Sequence, residues 1–339
     1  MMRYAETRDA RLFDKLHVVT CVSNPCRYRS RYDLYKKFEQ HVLDHGAELY
    51  TVEMAFGHRP FVVTEPNNLH HIQVRSSTEL WHKENMLNLA INRLPLGWRY
   101  VAWIDADVIF TRPDWVEETI HQLQHYQVVQ MFSEAQDLSP DFMAINRHRG
   151  FMWGYANGGI DLDNNSFYEH FHPGFAWAAR KEAMDHVGGL IDWAILGSGD
   201  RHMACALIGK VENSLDKFIG GPGADKLTVG YWSALQRWQA QAEMYIRRNV
   251  GYVPGMILHH WHGSKRDRRY RSRWQILVKH NFDPVKDLKK DAQGLWQLVD
   301  HGDLRSIAMR DDIRNYFRGR NEDSIDVPTS RFMLKLQRD

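Results

Sequence analysis

Two carboxylates one residue apart, Asp105 and Asp107, interrupt the apolar run YVAWIDADVIF at positions 100–110, which otherwise has the pattern of a buried strand. A buried carboxylate is costly unless something pairs with it. If the strand breaks at Ala106, both side chains can turn toward one divalent cation, with substrate phosphates completing its shell. Oxygen donors of this kind suit Mg²⁺ or Mn²⁺, and a metal bridging a diphosphate stabilises it as a leaving group. The competing expectation is that Asp105 caps or salt-bridges locally while Asp107 points outward.

The elements around the pair give it a position. Residues 16–24 have a strand pattern closed by Asn24-Pro25, and a helix follows with Leu34, Tyr35, Phe38 and Val42 on one face and Gly46 as its stop. Strands are expected over 47–57 and 70–77, a helix over 79–95 that Pro95 ends, a strand over 98–110, a helix over 116–126 and a strand over 127–135. Alternating strands and helices imply an α/β fold with a mostly parallel sheet flanked by helices. Ligands of such sheets bind beyond the carboxyl ends of the strands, where Asp105 and Asp107 fall.

Composition narrows the function classes. A chain of 339 residues, 43% hydrophobic and 25% charged, is an ordinary globular protein, which excludes disorder as its main state. No apolar run approaches the roughly 18 residues of a membrane span, and the first residues show no signal-peptide core, so a cytoplasmic protein is expected, in the host cell if the source is viral. The three cysteines, Cys21, Cys26 and Cys205, form neither a disulfide set nor a zinc pattern. The net charge of +2 demands no polyanionic partner, but six of the ten residues in KRDRRYRSRW, 265–274, are basic. That run is open to three readings: a lid over a donor diphosphate, a patch for an anionic acceptor such as nucleic acid with Tyr270 and Trp274 stacking on bases, or a solvated face. No glycine-rich phosphate loop ending in Lys-Ser or Lys-Thr is present, which weighs against a phosphoryl- or nucleotidyl-transferase.

Three further blocks stand in order around the acidic pair: WHKENMLN at 81–88, HPGFAWAARKEAMDHVGGLIDWAILGSGDRHMACALIG at 172–209 and GMILHHWHGSK at 255–265. Together with Asp105-Ala-Asp107 they resemble the GT-A, metal-dependent, nucleotide-sugar glycosyltransferases, over roughly residues 16–273, and are similar to the animal β-galactosyltransferases and bacterial family-2 enzymes, though without their longer run of acids. The resemblance implies a Rossmann-like GT-A domain over 1–275, with a donor-binding half at about 16–135 and an acceptor half at about 136–275, then a helical C-terminal extension and tail over 276–339. It implies a Mn²⁺ or Mg²⁺ cofactor, a nucleotide-sugar donor, expected to be a UDP-sugar, and a hydroxyl acceptor, for which a glycan or a hydroxymethylated DNA base held by Lys265–Arg273 is considered.

The resemblance also assigns roles. Asp105 and Asp107 hold the metal, and Asp105 the donor; Lys83, Asn85 and Asn88 lie near the donor, unless they form the solvated face of their helix. Asp200 is the general base of an inverting reaction, with His202 as its substitute, although an aspartate there also serves as a helix N-cap. Strand alternation puts His260 and His262 on one face. His262 is favoured as a metal ligand, His260 could exchange with it, and Lys265 contacts the diphosphate. The competing function is a nucleic-acid or glycan-binding protein on the same scaffold without turnover.

Overall fold

The computed structural model describes residues 15–160, 171–215 and 221–327. The opening residues and the polar tail from Pro328 lie outside the described residues. In chain order the elements are β1 (Leu16–Ser23), α1 (Arg29–Asp44), β2 (Glu48–Phe56), β3 (His71–Ser76), α2 (Lys83–Ile91), β4 (Tyr100–Ile104), β5 (Val108–Phe110), α3 (Trp115–His125) and β6 (Val128–Gln130). Then come β7 (Glu134–Leu138), β8 (Ala144–Gly150), α4 (Phe151–Ala156), β9 (Phe171–His172), β10 (Ala176–Arg180), α5 (Lys181–Val187), α6 (Gly199–Leu207) and α7 (Val229–Gln241). The chain continues with β11 (Val250–Tyr252), β12 (Met256–His259), α8 (Trp274–Lys279), α9 (Pro284–Asp287), β13 (Leu288–Lys290), β14 (Trp296–Leu298) and α10 (Leu304–Arg318).

The main sheet has seven strands in the order β11-β6-β10-β4-β1-β2-β3, all neighbours parallel except β10, which runs antiparallel to β4 and β6. Its central strands are apolar almost throughout because both faces are covered; all five residues of β4 are buried. Alternation sends Val19, Val52, Val101 and Trp103 into one core with α2, α5 and α6, and Leu16, Val18, Ala102 and Ile104 into the other beneath α1 and α3. From β1 the sheet grows outward through β2 and β3 on one side and through β4 on the other. The crevice between the carboxyl ends of β1 and β4 is therefore the switch point at which such sheets bind ligands.

The run expected as one strand over 98–110 is two. β4 stops at Ile104, the Asp105 N–H is taken by the carbonyl of Phe175 (2.8 Å), and Val108–Phe110 joins a second sheet, order β5-β12-β7-β8-β9, next to β12. The strand expected over 127–135 divides likewise, β6 serving the first sheet and β7 the second. Asp105 and Asp107 thus occupy the corner between two sheets. The segment after 275, expected to be helical, also carries the β13–β14 ribbon. Its Leu277, Phe282, Leu298, Ile313 and Phe317 belong to the same core as α2 and α6. Among the described residues no helix is long and apolar enough to cross a membrane.

Candidate active site

A cavity of about 480 Å³ opens at the switch point, and its lining includes Lys83, Asp105, Asp107, Asp200, His262 and Lys265. Residues from both sheets, α2, the turn before α6 and the C-terminal segment meet there. No other segment expected to do chemistry supplies a comparable convergence among the described residues.

On the strand side, Asp107 Oδ2 lies 3.0 Å from His262 Nε2, Asp107 Oδ1 3.9 Å from His259 Nε2, and the two imidazole Nε2 atoms 3.1 Å apart. The three side chains are 12%, 6% and 8% exposed in the order Asp107, His262, His259, so water screens them little. The hydrogen-bond partners define which ring atoms carry lone pairs. His259 Nδ1 donates to Asp137 Oδ1 (2.8 Å), so the neutral ring presents its Nε2 lone pair to the site. Burial and the Arg268 charge hold His262 well below the usual imidazole range, and Arg268 Nη2, a donor only, sits 2.6 Å from its Nε2. Two imidazole nitrogens and a carboxylate oxygen therefore converge. Ligands about 2.1 Å from one ion and at right angles lie about 3.0 Å apart, so these separations fit a divalent cation. The orphaned Asp107 Oδ1, buried without a hydrogen-bond partner among the described residues, fits as well.

In this set His259, not His260, stands beside His262. Strand alternation ends with β12 at His259, and beyond it the chain turns, so positions 259 and 262 converge while His260 leaves the cluster. The His260 ring stands edge-on to Phe142 instead, 5.7 Å between centroids.

Asp137, unremarked in the sequence, anchors this wall. It lies opposite His259 in the parallel β7–β12 register and also accepts from His148 Nε2 (2.7 Å) and Lys265 Nζ (2.6 Å). Burial alone would raise its carboxyl, but His148, His259 and Lys265 hold it far below the usual range. No local pattern marks such a residue. Its partners come from segments 11 to 128 positions away.

Lys83 and Asp105 form an ion pair across the cavity floor. Burial works against the Lys83 charge, yet Asp105, Glu84 and Asp200 together hold its ammonium above the usual range. Phe175, whose carbonyl fixes Asp105, has φ +77°, a strained conformation for a bulky residue, and its ring is held between His172 (3.9 Å) and His259 (4.5 Å).

On the helix side, Ser198 turns the chain with φ +78° and α6 begins at Gly199, which places Asp200 in the first turn and on the cavity wall. Its Oδ1 accepts from the Arg201 N–H (2.7 Å), and a Cβ on Gly174 would meet its Oδ2 at 2.5 Å, so only glycine fits opposite. Glu84 packs behind this turn, its Oε2 bonded by Trp81 Nε1 (3.0 Å) and its carboxyl 2.9 Å from where a Cβ on Gly199 would stand. Burial pushes Glu84 up to about 7, Lys83 opposes this and Asp200 reinforces it.

Three expected site residues lie elsewhere. His202 is fully buried, bonded to Ser214 Oγ (2.7 Å) and Tyr231 OH (3.0 Å), and burial lowers it to about 3; it faces the core because it follows Asp200 by two positions on a helix. Asn85 clamps the β13–β14 ribbon through the Gly294 carbonyl and the Trp296 N–H (both 3.0 Å). Asn88 clamps both backbone groups of Leu190 (3.0 and 2.9 Å). Neither asparagine reaches the cavity, and neither forms a solvated face.

The basic run folds over the cavity mouth. Lys265, Arg268, Tyr270, Arg271 and Arg273 line it; Arg268 and Arg273 are buried, while Arg266 and Arg269 face solvent. Arg273 Nη2 donates to Ser198 Oγ (2.7 Å), joining the run to the α6 turn. Behind it the C-terminal segment closes the wall, Glu322 pairing with both Arg31 and Arg320. Burial pushes the Cys21 thiol, also on the wall, up to about 12, which leaves it unreactive.

No family model and no curated protein sequence matches the chain. Its structure is similar to several solved ones. The catalytic domain of Drosophila β1,4-galactosyltransferase 7 in complex with xylobiose shares 9% identity over 56% of this chain and 59% of that one, with a TM-score of 0.30. A mutant of the same enzyme in complex with manganese, UDP-Gal and xylobiose shares 9% identity over 87% and 98%, with a TM-score of 0.36. S. aureus TarS shares 8% over 78% and 64%, also at 0.36. These likenesses are distant. The chain spans less than two thirds of the first of these structures and of TarS, and the functional reading rests on the cavity itself.

Proposed function

We propose that the chain is a metal-dependent glycosyltransferase that moves a sugar from a nucleotide-diphosphate donor to a hydroxyl group, with inversion. The observation that carries this reading is the meeting, in one cavity at the switch point, of a three-atom cation site at Asp107, His259 and His262 with a separately held carboxylate at Asp200. Asp107, His259 and His262 would hold Mn²⁺ or Mg²⁺, with Asp105 contacting the donor beside it; the bound ion supplies Lewis-acid stabilisation of the departing diphosphate.

The chain's own groups do the rest. Lys83, kept charged by the surrounding acids, and Lys265, Arg268, Arg271 and Arg273 offer positive charge to the diphosphate. This inward disposition supports the lid over the nucleic-acid patch as the role of the basic run. Asp200 takes the proton of the acceptor hydroxyl as the new bond to the sugar forms, from the first turn of α6. Gly174 leaves the space beside its carboxylate open.

The test is donor turnover: the chain is incubated with UDP-sugars, with Mn²⁺ and with a chelator, and released UDP and product configuration are measured. Metal-dependent UDP release with an inverted product supports the proposal; release that ignores the chelator refutes the metal role, and retention refutes Asp200 as base.

A further inference from the structure

The cation that meets the His262 lone pair in this structure is a side chain. Arg268 Nη2 lies 2.6 Å from His262 Nε2 and 3.3 Å from the His262 carbonyl, and Nη1 donates to Tyr270 OH (3.0 Å). None of these partners is an anion, and Arg268 Nε has no partner among the described residues although the residue is only 6% exposed. Glu322 and Asp107 lie close enough to favour its charge without being these hydrogen-bond partners, and a buried guanidinium is costly without well-made bonds to an anion. A guanidinium also cannot give up its proton, so His262 must point an unprotonated nitrogen at it.

That nitrogen is the one 3.0 Å from Asp107 and 3.1 Å from His259, the atom a divalent ion would need. Arg268 and the ion cannot share it. Resting on the metal reading above, we propose that Arg268 is a stand-in cation: it keeps the imidazole in its metal-ready tautomer, is displaced from His262 when the ion enters, and then pairs with the donor's diphosphate. The diphosphate supplies Arg268 with an anion it can bond directly, beyond the nearby charges of Glu322 and Asp107, and Tyr270 OH, on the cavity wall, marks where the released guanidinium turns. Metal entry and donor binding are thereby coupled through one side chain, and a donor arriving after the metal finds a phosphate ligand already freed.

The coupling has an unusual sign. Arg268→Gln removes the competitor for His262, so Mn²⁺ alone, followed by loss of its free electron paramagnetic resonance signal, should bind roughly tenfold tighter. UDP titrated in saturating Mn²⁺ should bind about tenfold or more weakly, because a charge-assisted bond to phosphate is gone. A residue that merely props the segment would weaken both. Weaker or unchanged Mn²⁺ binding in the variant overturns the proposal. Hydrogen exchange on the wild-type chain is a second readout that needs no variant: Mn²⁺ alone should speed exchange over residues 265–273 and UDP should then slow it, whereas slowing by Mn²⁺ alone overturns the proposal. If the wild-type chain binds no Mn²⁺, the metal reading falls and this inference with it; if Mn²⁺ and UDP bind but Arg268→Gln leaves Mn²⁺ affinity unchanged, only the inference falls.

Discussion

The two walls of the cavity are held in different ways. On the strand wall each group ends a chain of contacts between distant segments: Asp107 meets His262, His259 is fixed by Asp137, and Asp137 also binds His148 and Lys265. On the helix wall Asp200 is set by one turn, with Ser198 reversing the backbone and the next N–H bonded to its carboxylate. The first arrangement exists only when both sheets are assembled. The second is built on a helix start and a glycine opposite, with Arg273 bonded to Ser198 and Glu84 packed behind the turn. Damage to the strand wall should therefore spread to binding, and damage to the helix wall should stay with the chemistry.

The largest effect is expected where the strand wall loses a ligand. Asp107→Ala should abolish Mn²⁺-dependent UDP binding in calorimetry while the chain stays folded by circular dichroism, because its neighbours in β4 and β5 keep their apolar burial. Wild-type affinity in that variant would erase the distinction between the walls. Asp200→Asn should do the reverse, lowering transfer by roughly 10²–10⁴-fold with donor affinity nearly intact. Equal losses in binding and turnover would show that the helix wall also holds the donor.

Asp137→Asn sharpens the comparison, since this residue touches no substrate. Losing the carboxylate that orients His259 should weaken Mn²⁺ binding by about 10–100-fold, the usual cost of removing a partner behind a metal ligand. The smallest effect belongs to Glu84, behind the helix wall. Its folded-state value, raised from an ordinary 4.5 to about 7, means that the stability it contributes is complete below pH 4.5 and is lost as pH rises to about 7. Glu84→Gln should flatten that decline in denaturation midpoints measured across the window. A midpoint profile unchanged by the substitution would mean that the carboxyl is not desolvated.

What the sequence made legible follows the same division. The alternation of apolar strands and helices identified the sheet, and the acidic pair at the end of a buried strand marked the edge where the cavity opens, because both are written in neighbouring residues. The turn holding Asp200 was legible for the same reason. The strand wall was not: Asp137 is recognisable only through a register with β12, and His259 joins His262 in place of His260 because the strand ends at His259, three residues before alternation assumes. Asn85 and Asn88 misled in the opposite direction. Their helical spacing suggests exposure, yet the β13–β14 ribbon and the turn at Leu190 cover them, and each amide satisfies two backbone groups that burial would otherwise leave unpaired.

The exchange between the two histidines offers the most direct test of the central claim, that a cation site is built by Asp107, His259 and His262. Mn²⁺ affinity would be measured by electron paramagnetic resonance for His259→Gln and His260→Gln side by side. Mn²⁺ binding lost in His259→Gln and kept at the wild-type level in His260→Gln is the predicted result; loss in His260→Gln with His259→Gln unaffected would contradict it.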